Sequence, residues 1–397
     1  MHTIRVFFIS QQDNLSIIEL AFPFNIMTIL HICSTYLDRP FYESLFEELS
    51  LLGINNIVYV PRWSDRQVKK NVFVVSKKFN KLEKFLYWGE QKYILKDIEE
   101  RININEIDLV HVHRILYGGY AALQIFKKHK IPFITAIRNS DIYGFGRNIA
   151  IFRKHSNSII NNSSKIVFLS KPYLNYTLNK FIYKDYLINA IEKSEVITNG
   201  INQYFIDNSV PKDEHPLPIP NRLIIICVAE INKNKNILTL IKACDLLMAK
   251  GYNVELKLLG RIIDKSIFNR ISNYKFVKYL GVRSKEEVVY ELRNSDIFAM
   301  TSIHETFGLV YAEAMTQGLP LIYTRGQGFD GQFQDGEVGY SVDCFDTIEI
   351  ANKVLDILND YRNISNRCIE YSKQYSWNRI AHKYKELYDT CLPNTRY

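Results

Sequence analysis

The sequence has no Cys-x-x-Cys pair, no Asp-x-Asp pair and no apolar run near the roughly 20 residues that a membrane-spanning helix needs. Its six cysteines (Cys33, Cys227, Cys244, Cys344, Cys368 and Cys391) are scattered, with no histidine beside them at zinc-finger spacing. That argues against a disulfide scaffold or a zinc module and fits free thiols in a reducing compartment. The opening residues, Met1 to Ser10, run into Gln11, Gln12 and Asp13 without a small-residue cleavage site, so a cytoplasmic rather than a secreted protein is expected. With 397 residues and 47% hydrophobic content, the chain is neither disordered nor fibrous and exceeds what one core usually holds. Two domains are the natural expectation. The net charge of +8 favours anionic partners such as nucleotides, diphosphates or an anionic membrane face, without choosing among them.

Short apolar runs alternate with helical stretches. Met27 to Cys33 reads as a strand before a polar loop, Ser34 to Pro40, and a helix, Phe41 to Leu52. Strands follow at Asn56 to Pro61, Leu109 to His113, Pro132 to Ile137 and Lys165 to Ser170, with a helix from Gly118 to His129. The segment Ser209 to Asn221 holds four prolines and several charges and reads as an exposed linker. The rhythm then restarts at Leu223 to Ala229. Its strands are Glu255 to Gly260, Val277 to Leu280, Ile297 to Met300 and Leu321 to Tyr323, and its helices are Ile237 to Lys250, Lys285 to Asn294 and Gly308 to Gln317. The expected organisation is an extension of uncertain status (1–26), an N-terminal domain (27–208), the linker (209–221), a C-terminal domain (222–374) and a terminal segment (375–397). Strands flanked by helices imply parallel sheets, and two such α/β domains would share one site in the cleft between them.

The densest chemical signal is SIHETFGLVYAEAMTQGLP, Ser302 to Pro320, where Glu305 and Glu313 flank Gly308. A helix starting near Gly308 would present the N–H groups of Gly308, Leu309 and Val310 to an anion such as a diphosphate. Glu313, more than one turn inside, would accept from ribose hydroxyls, and Glu305, just before the helix, would reach a sugar beyond the diphosphate. Without Asp-x-Asp, positive charge at a leaving diphosphate must come from side chains and the helix end, with Lys235 placed on the cleft side of its sheet. Metal-independent chemistry is expected. The competing readings are two solvated acids at a helix start and, for the NKNKN run around Lys235, an ordinary exposed turn. His111 and His113 share a strand, and one of them is expected to face the core while His113, nearer the strand end, serves the site. Arg138 and Asp141 read equally well as site residues or as a plain ion pair. Phe79 to Glu100 mixes Lys81, Lys84 and Lys92 with Phe79, Leu82, Phe85, Leu86 and Trp88, which suits either a basic helix on an anionic membrane or a core-packed helix with a solvated basic face.

From about Ile29 to Tyr388 these residues resemble glycosyltransferase family 4, with its GT-B fold of two Rossmann-like domains facing each other across a cleft. The Glu305–Glu313 spacing is similar to the family's Glu-x7-Glu signature. DLVHVH (Asp108 to His113), ITAIRNSD (Ile134 to Asp141), ITNGIN (Ile197 to Asn202), QDGEVG (Gln334 to Gly339) and YSW (Tyr375 to Trp377) follow the family's order. The resemblance implies transfer, with retention, of a hexose-type sugar from a nucleoside-diphosphate sugar to a glycan or lipid-linked glycan of a bacterial surface polysaccharide. It implies no cofactor and no nucleic-acid partner. Glu305 would contact the sugar, Glu313 the ribose and Lys235 the diphosphate. Gly308, Leu309, Thr306, Phe307, Glu230, Gly260, Arg261 and Val282 would complete the donor side, with Tyr42, His113, Arg138 and Asp141 on the acceptor side. The last helix would cross back to the N-terminal domain.

The chain departs from the family where Ala229 and Glu230 replace Gly-Arg, leaving Arg261 or Arg325 as substitute cations. STYLDRP (Ser34 to Pro40) replaces the first glycine pair, which brings Arg39 toward the diphosphate. Arg138 replaces a common histidine, and RGQGFD (Arg325 to Asp330) replaces a Gly-Gly-x-Pro-Glu loop near the sugar. A nucleotide-sugar-binding partner that has lost catalysis, or a GT-B-like sugar-nucleotide epimerase, are the competing functions.

Overall fold

The computed structural model describes residues 4–6, 18–20, 26–79, 87–138, 141 and 150–392. Strands β1 (Ile4–Val6) and β2 (Ile18–Leu20) pair antiparallel with each other and join neither of the main sheets. No strand is expected there from the sequence, since three-residue strands are too short to show a period.

The N-terminal domain runs β3 (Thr28–Ile32), α1 (Phe41–Leu51), β4 (Asn55–Val60), β5 (Val72–Val74), α2 (Tyr87–Arg101), β6 (Leu109–Val112), α3 (Ile115–His129), β7 (Phe133–Ala136), α4 (Ala150–Asn162), β8 (Lys165–Phe168), α5 (Lys171–Lys180), α6 (Leu187–Lys193), β9 (Ser194–Val196) and α7 (Gln203–Asp207). The C-terminal domain runs β10 (Arg222–Val228), α8 (Ile237–Ala249), β11 (Asn253–Leu259), α9 (Lys265–Ile271), β12 (Val277–Gly281), α10 (Lys285–Arg293), β13 (Ile297–Met300), α11 (Leu309–Thr316), β14 (Leu321–Thr324), β15 (Gly339–Val342), α12 (Thr347–Asn359) and α13 (Tyr361–Ser372). Helix α14 (Trp377–Asp389) follows.

Both sheets are parallel throughout, in the orders β5-β4-β3-β6-β7-β8-β9 and β12-β11-β10-β13-β14-β15. Strands β3, β6, β7 and β13 are buried along their whole length, as expected of strands covered by helices on both faces. The strand order reverses between β3 and β6 and again between β10 and β13. A crevice therefore opens at their carboxyl ends, where the loops after Ile32, Val112, Val228 and Met300 emerge.

One core fills the C-terminal domain, and two lie on the faces of the N-terminal sheet. Trp377, Ile380, Ala381, Tyr384, Leu387 and Tyr388 of α14 all join the N-terminal core beside Ile29, Leu109 and Ile134. The amide of Ile201 donates to the Tyr375 carbonyl at 2.9 Å, so the two passages between domains run side by side.

Most of residues 209–221 are exposed, and the segment is anchored at several points to the C-terminal domain. The Val210 amide and the Ser209 hydroxyl both donate to the Thr316 carbonyl, His215 is buried, and Arg362 donates to the carbonyls of Asp213 and His215. Phe205 of α7 packs into the C-terminal core.

Of the basic stretch, Lys81, Leu82, Lys84, Phe85 and Leu86 lie outside the described residues. In α2, Ile94 and Ile98 pack into the core while Lys92 is exposed.

Candidate active site

The C-terminal side is built from short-range geometry. β10 delivers the chain to Ala229, where a Cβ on Gly260 would stand 2.0 Å from the Ala229 carbonyl oxygen at a φ of +140°. Only glycine fits this approach. A turn at Lys233–Lys235 follows, capped by the Asn232 side chain, which accepts from the Lys235 amide at 3.1 Å. Asn234 then fastens this turn to the loop after β13. Its carbonyl accepts from Ile303, its side-chain oxygen accepts from the His304 amide, and its side-chain nitrogen donates to the His304 carbonyl. The NKNKN run is thus a clasp between two loops, not an ordinary exposed turn.

Lys235 Nζ reaches Glu305 Oε2 at 2.6 Å, and each side chain keeps less than a fifth of its surface exposed. The other carboxylate oxygen accepts from the Thr306 amide at 3.2 Å. Gln327 and Gly328, from the loop that replaces the family's glycine-rich one, hold the Glu305 backbone from the far side. Gly308 then turns the chain into α11 at a φ of +83°, and a Cβ there would meet the Tyr311 ring at 2.6 Å and Glu305 Cγ at 3.3 Å. The Tyr311 hydroxyl donates to the Met300 carbonyl at 2.6 Å, tying the helix to the end of β13. One turn further in, Glu313 is half-buried, and burial pushes its carboxyl up to about 7.

Glu305 faces the other domain. The Ser170 hydroxyl, at the start of α5, donates to the Thr306 carbonyl at 2.8 Å. Pro172, Tyr173 and Tyr176 of α5 and His304, Glu305 and Gln327 line opposite walls of one small pocket between the domains. A roomier groove of about 480 Å³ lies at the other end of the C-terminal sheet, at Arg222, Lys257 and Lys278 near the amino ends of its strands. It shares no residue with this constellation.

The remaining sequence-predicted donor residues divide. Leu309 and Val310 open the first turn of α11, whose leading amides have no carbonyl one turn earlier in the helix. The Phe307 side chain is core, buried against Phe329 and Tyr375. Glu230 and Arg261 pair with each other at 2.6 Å on the exposed rim. Val282 is exposed just beyond Gly281, whose carbonyl accepts from the Gly260 amide. Arg325 pairs with Glu349 and donates to the Ser341 carbonyl. Arg39 lies on an exposed turn.

On the N-terminal side the groups are buried and neutral. Asn56 donates from Nδ2 to the carbonyls of Phe46 and Ile54 and to Ser50 Oγ, so its Oδ1 must accept from His31 Nε2 at 2.9 Å. His31 Nδ1 is then an acceptor, and His113 Nε2 donates to it at 3.1 Å. His111 Nδ1 lies 2.8 Å from the Tyr388 hydroxyl of α14. Burial holds His31 down to about 4 and keeps His111 and His113 well below the ordinary histidine value.

The expectation that His111 and His113 divide between core and site is corrected. Residues two apart on a strand point to the same face, and both are fully buried. The three histidines bring ligand atoms within 4.8 Å of one another, the compactness of a metal site. The His111 and His113 rings nevertheless stack, with centroids 4.0 Å apart and planes at 27°, so their in-plane lone pairs run alongside each other and do not converge.

Tyr42 is buried edge-on to His113. Arg138 and Asp141 form no side-chain ion pair: Asp141 Oδ2 accepts from the Arg138 backbone amide at 2.9 Å, while Arg138 Nε donates to the His113 carbonyl and its guanidinium meets the Tyr384 hydroxyl. Burial pushes the Asp141 carboxyl up to about 6.

Two family models match the chain in series: Glycosyltransferase Family 4 over residues 41–203 and Glycosyl transferases group 1 over residues 209–375. The chain is a family 4-type glycosyltransferase with the GT-B fold. An N-acetyl-alpha-D-glucosaminyl L-malate synthase of Bacillus anthracis is 24% identical to this glycosyltransferase over 81% of the chain and 85% of the relative. An uncharacterised glycosyltransferase of Methanocaldococcus jannaschii is 24% identical over 71% and 75%. Among solved structures, a Rickettsia africae glycosyltransferase superimposes with a TM-score of 0.70 at 20% identity, covering 94% of this chain and all of the other. Anabaena HepE in complex with UDP and glucose gives 0.63 at 17% identity over 92% of this chain and all of its own.

The glycosyltransferase also holds its site with residues the sequence reading passes over. Asn234, Ser170, Gln327, Tyr384 and His31 are single polar residues without a spacing pattern, and each acts through a partner distant in sequence. For Asn234 alone a local cue existed, in the alternation of asparagine and lysine from Asn232 to Asn236.

Proposed function

We propose that this glycosyltransferase moves a hexose-type sugar from a nucleoside-diphosphate sugar to a glycan or lipid-linked glycan acceptor of a bacterial surface polysaccharide, with retention and without a metal. The observation that carries the reading is the 2.6 Å contact of Lys235 with Glu305, at the start of α11 and open to the pocket between the domains. A diphosphate arriving at the first turn of α11 would draw Lys235 toward it and free Glu305 for sugar hydroxyls, while Glu313 accepts from ribose. Charge developing on the leaving phosphate is then met by Lys235 and the helix start, and that phosphate's own oxygen takes the acceptor proton on the same face of the sugar. The names of relatives support the product class. The chain is similar to the capsular polysaccharide biosynthesis glycosyltransferase CapM of Staphylococcus aureus, 27% identical over 41% of this chain, and to an alpha-monoglucosyldiacylglycerol synthase of Acholeplasma laidlawii, 26% over 59%. Contact of the exposed basic side chains of the N-terminal domain with an anionic membrane fits a lipid-linked acceptor, and no described helix is long and apolar enough to cross a membrane.

A melting-temperature panel of UDP-, GDP- and ADP-sugars identifies the donor, because a ligand that binds only the native state raises its midpoint. Slow donor hydrolysis that persists in a chelator and yields the retained anomer is expected. Hydrolysis abolished by the chelator and restored by manganese would overturn metal independence. Donor binding without turnover in any assay would instead favour a partner protein that has lost catalysis.

A further inference from the structure

Three of the cations considered for the donor side are each matched by a carboxylate: Lys235 by Glu305, Arg261 by Glu230 and Arg325 by Glu349. These pairs sum to no net charge, whereas a nucleoside diphosphate brings negative charge that has to be met. Arg138 differs from them. Its neighbour Asp141 directs an oxygen to the Arg138 backbone amide, and the guanidinium's hydrogen bonds go to neutral groups, the His113 carbonyl at 3.4 Å and the Tyr384 hydroxyl, with the Asp141 carboxylate adding a through-space attraction. Its Nη1 is buried and has no hydrogen-bond partner among the described residues. A buried donor left unsatisfied is costly, and more so when it is charged, so a position of this kind calls for an occupant.

Sheet register places that position. Ala136 pairs with Val167 and the Ile137 amide donates to the Val167 carbonyl, so Arg138 follows the carboxyl end of β7 next to that of β8. Ser170, two residues past the end of β8, donates from its hydroxyl to the carbonyl of Thr306, the neighbour of Glu305. Arg138 therefore stands one strand from the N-terminal wall of the pocket that Glu305 lines.

We infer that Arg138 binds an oxyanion in the cleft, a phosphate or carboxylate, carried either by the donor's diphosphate or by an anionic group on the acceptor. This rests on the donor-site reading above. A planar guanidinium whose hydrogen-bond partners are neutral hydroxyl and carbonyl groups keeps its charge and its unused N–H groups for such a ligand.

The test uses the full chain as wild type, Arg138→Met and Arg138→Lys. Calorimetry measures UDP, GDP and ADP against their parent nucleosides. Inorganic phosphate and malonate are then titrated with the preferred nucleoside diphosphate held saturating. Arg138→Met is expected to weaken one arm at least fivefold with nucleoside affinity unchanged, and Arg138→Lys to recover part of the loss. Loss in the diphosphate arm assigns the oxyanion to the donor, and loss confined to the phosphate or malonate arm assigns it to the acceptor. A change below fivefold in both arms overturns the inference and leaves Arg138 as a tie between β7 and α14. If Arg138→Met does not fold, phenylglyoxal labelling of the wild type, followed by peptide mass spectrometry, decides instead: a nucleoside diphosphate, phosphate or malonate should slow labelling of Arg138 at least fivefold, and no protection overturns the inference. Should the wild type bind no nucleotide, the donor-site reading fails, and the phosphate and malonate arm run without nucleotide still decides on Arg138.

Discussion

On the C-terminal side of the cleft the functional groups are charged, matched in pairs and fixed within a few residues by turns and positive-φ glycines. On the N-terminal side neutral histidines and tyrosines lie buried beside the Arg138 guanidinium, and they come together from β3, β6, β7 and the distant helix α14. The first arrangement keeps charge near solvent, where a ligand can exchange for an internal partner. The second keeps a buried wall in which Arg138 Nη1 is one of several polar atoms without a hydrogen-bond partner among the described residues. The difference teaches that the two walls of the cleft offer a ligand different physics: paired charges that can rearrange on one side, and a preformed buried surface on the other.

The sharpest way to break this comparison is Glu305→Gln. Turnover should fall by roughly 100- to 1000-fold, about 3–4 kcal/mol of transition-state stabilisation, with the melting temperature nearly kept. Donor-hydrolysis kinetics check it, and turnover within threefold of wild type would remove Glu305 from the chemistry.

Glu313→Gln is next and gives a pH signature. The Glu313 carboxyl is raised from its ordinary 4.5 to about 7 by burial, so its contribution to stability is complete below 4.5 and is lost as pH rises through about 7. The variant should therefore melt higher than wild type at pH 8, by ~1–3 kcal/mol, with the gap closing toward pH 5. Parallel melting curves at the two pH values decide, and a gap that does not depend on pH would mean the carboxyl is not buried as described.

Gly308→Ala should cost about 1–3 kcal/mol, because the new Cβ meets the Tyr311 ring at a φ of +83°, and it should weaken nucleotide binding as well. Chemical denaturation and calorimetry together test this. Tyr388→Phe probes the opposite wall. Removing the hydroxyl leaves His111 Nδ1 unsatisfied and should cost ~1–2 kcal/mol while nucleotide affinity stays unchanged. A loss of nucleotide affinity there would show that the two sides are not independent. Smallest of all, Ser170→Ala removes a single contact between the domains and should shift stability by about 1 kcal/mol or less.

Much of the donor side could be read from one contiguous stretch. Ser302 to Pro320 holds its acids, its turn glycine and its helix start within local reach, so spacing alone places them at one end of one helix. The pairing of Lys235 with Glu305 was not readable, since 70 residues separate them and only the adjacency of β10 and β13 brings their loops together. The histidine wall was less legible still. His31, His113 and Asn56 sit on three strands whose order in the sheet no local pattern states, and the tautomers follow only from the complete set of donors on Asn56.

By itself the sequence determined the alternation of strands and helices, the two-sheet architecture and the start of the helix at Gly308. Those depend on hydrophobic period and on backbone preferences that act over a few residues. Only the tertiary structure decided that Lys235 faces Glu305, that the Arg138 guanidinium hydrogen-bonds neutral groups and that Tyr384 and Tyr388 close the N-terminal wall. Electrostatic pairing and burial depend on distances between segments far apart in the chain, and it is the packing of the two sheets and α14 that sets those distances.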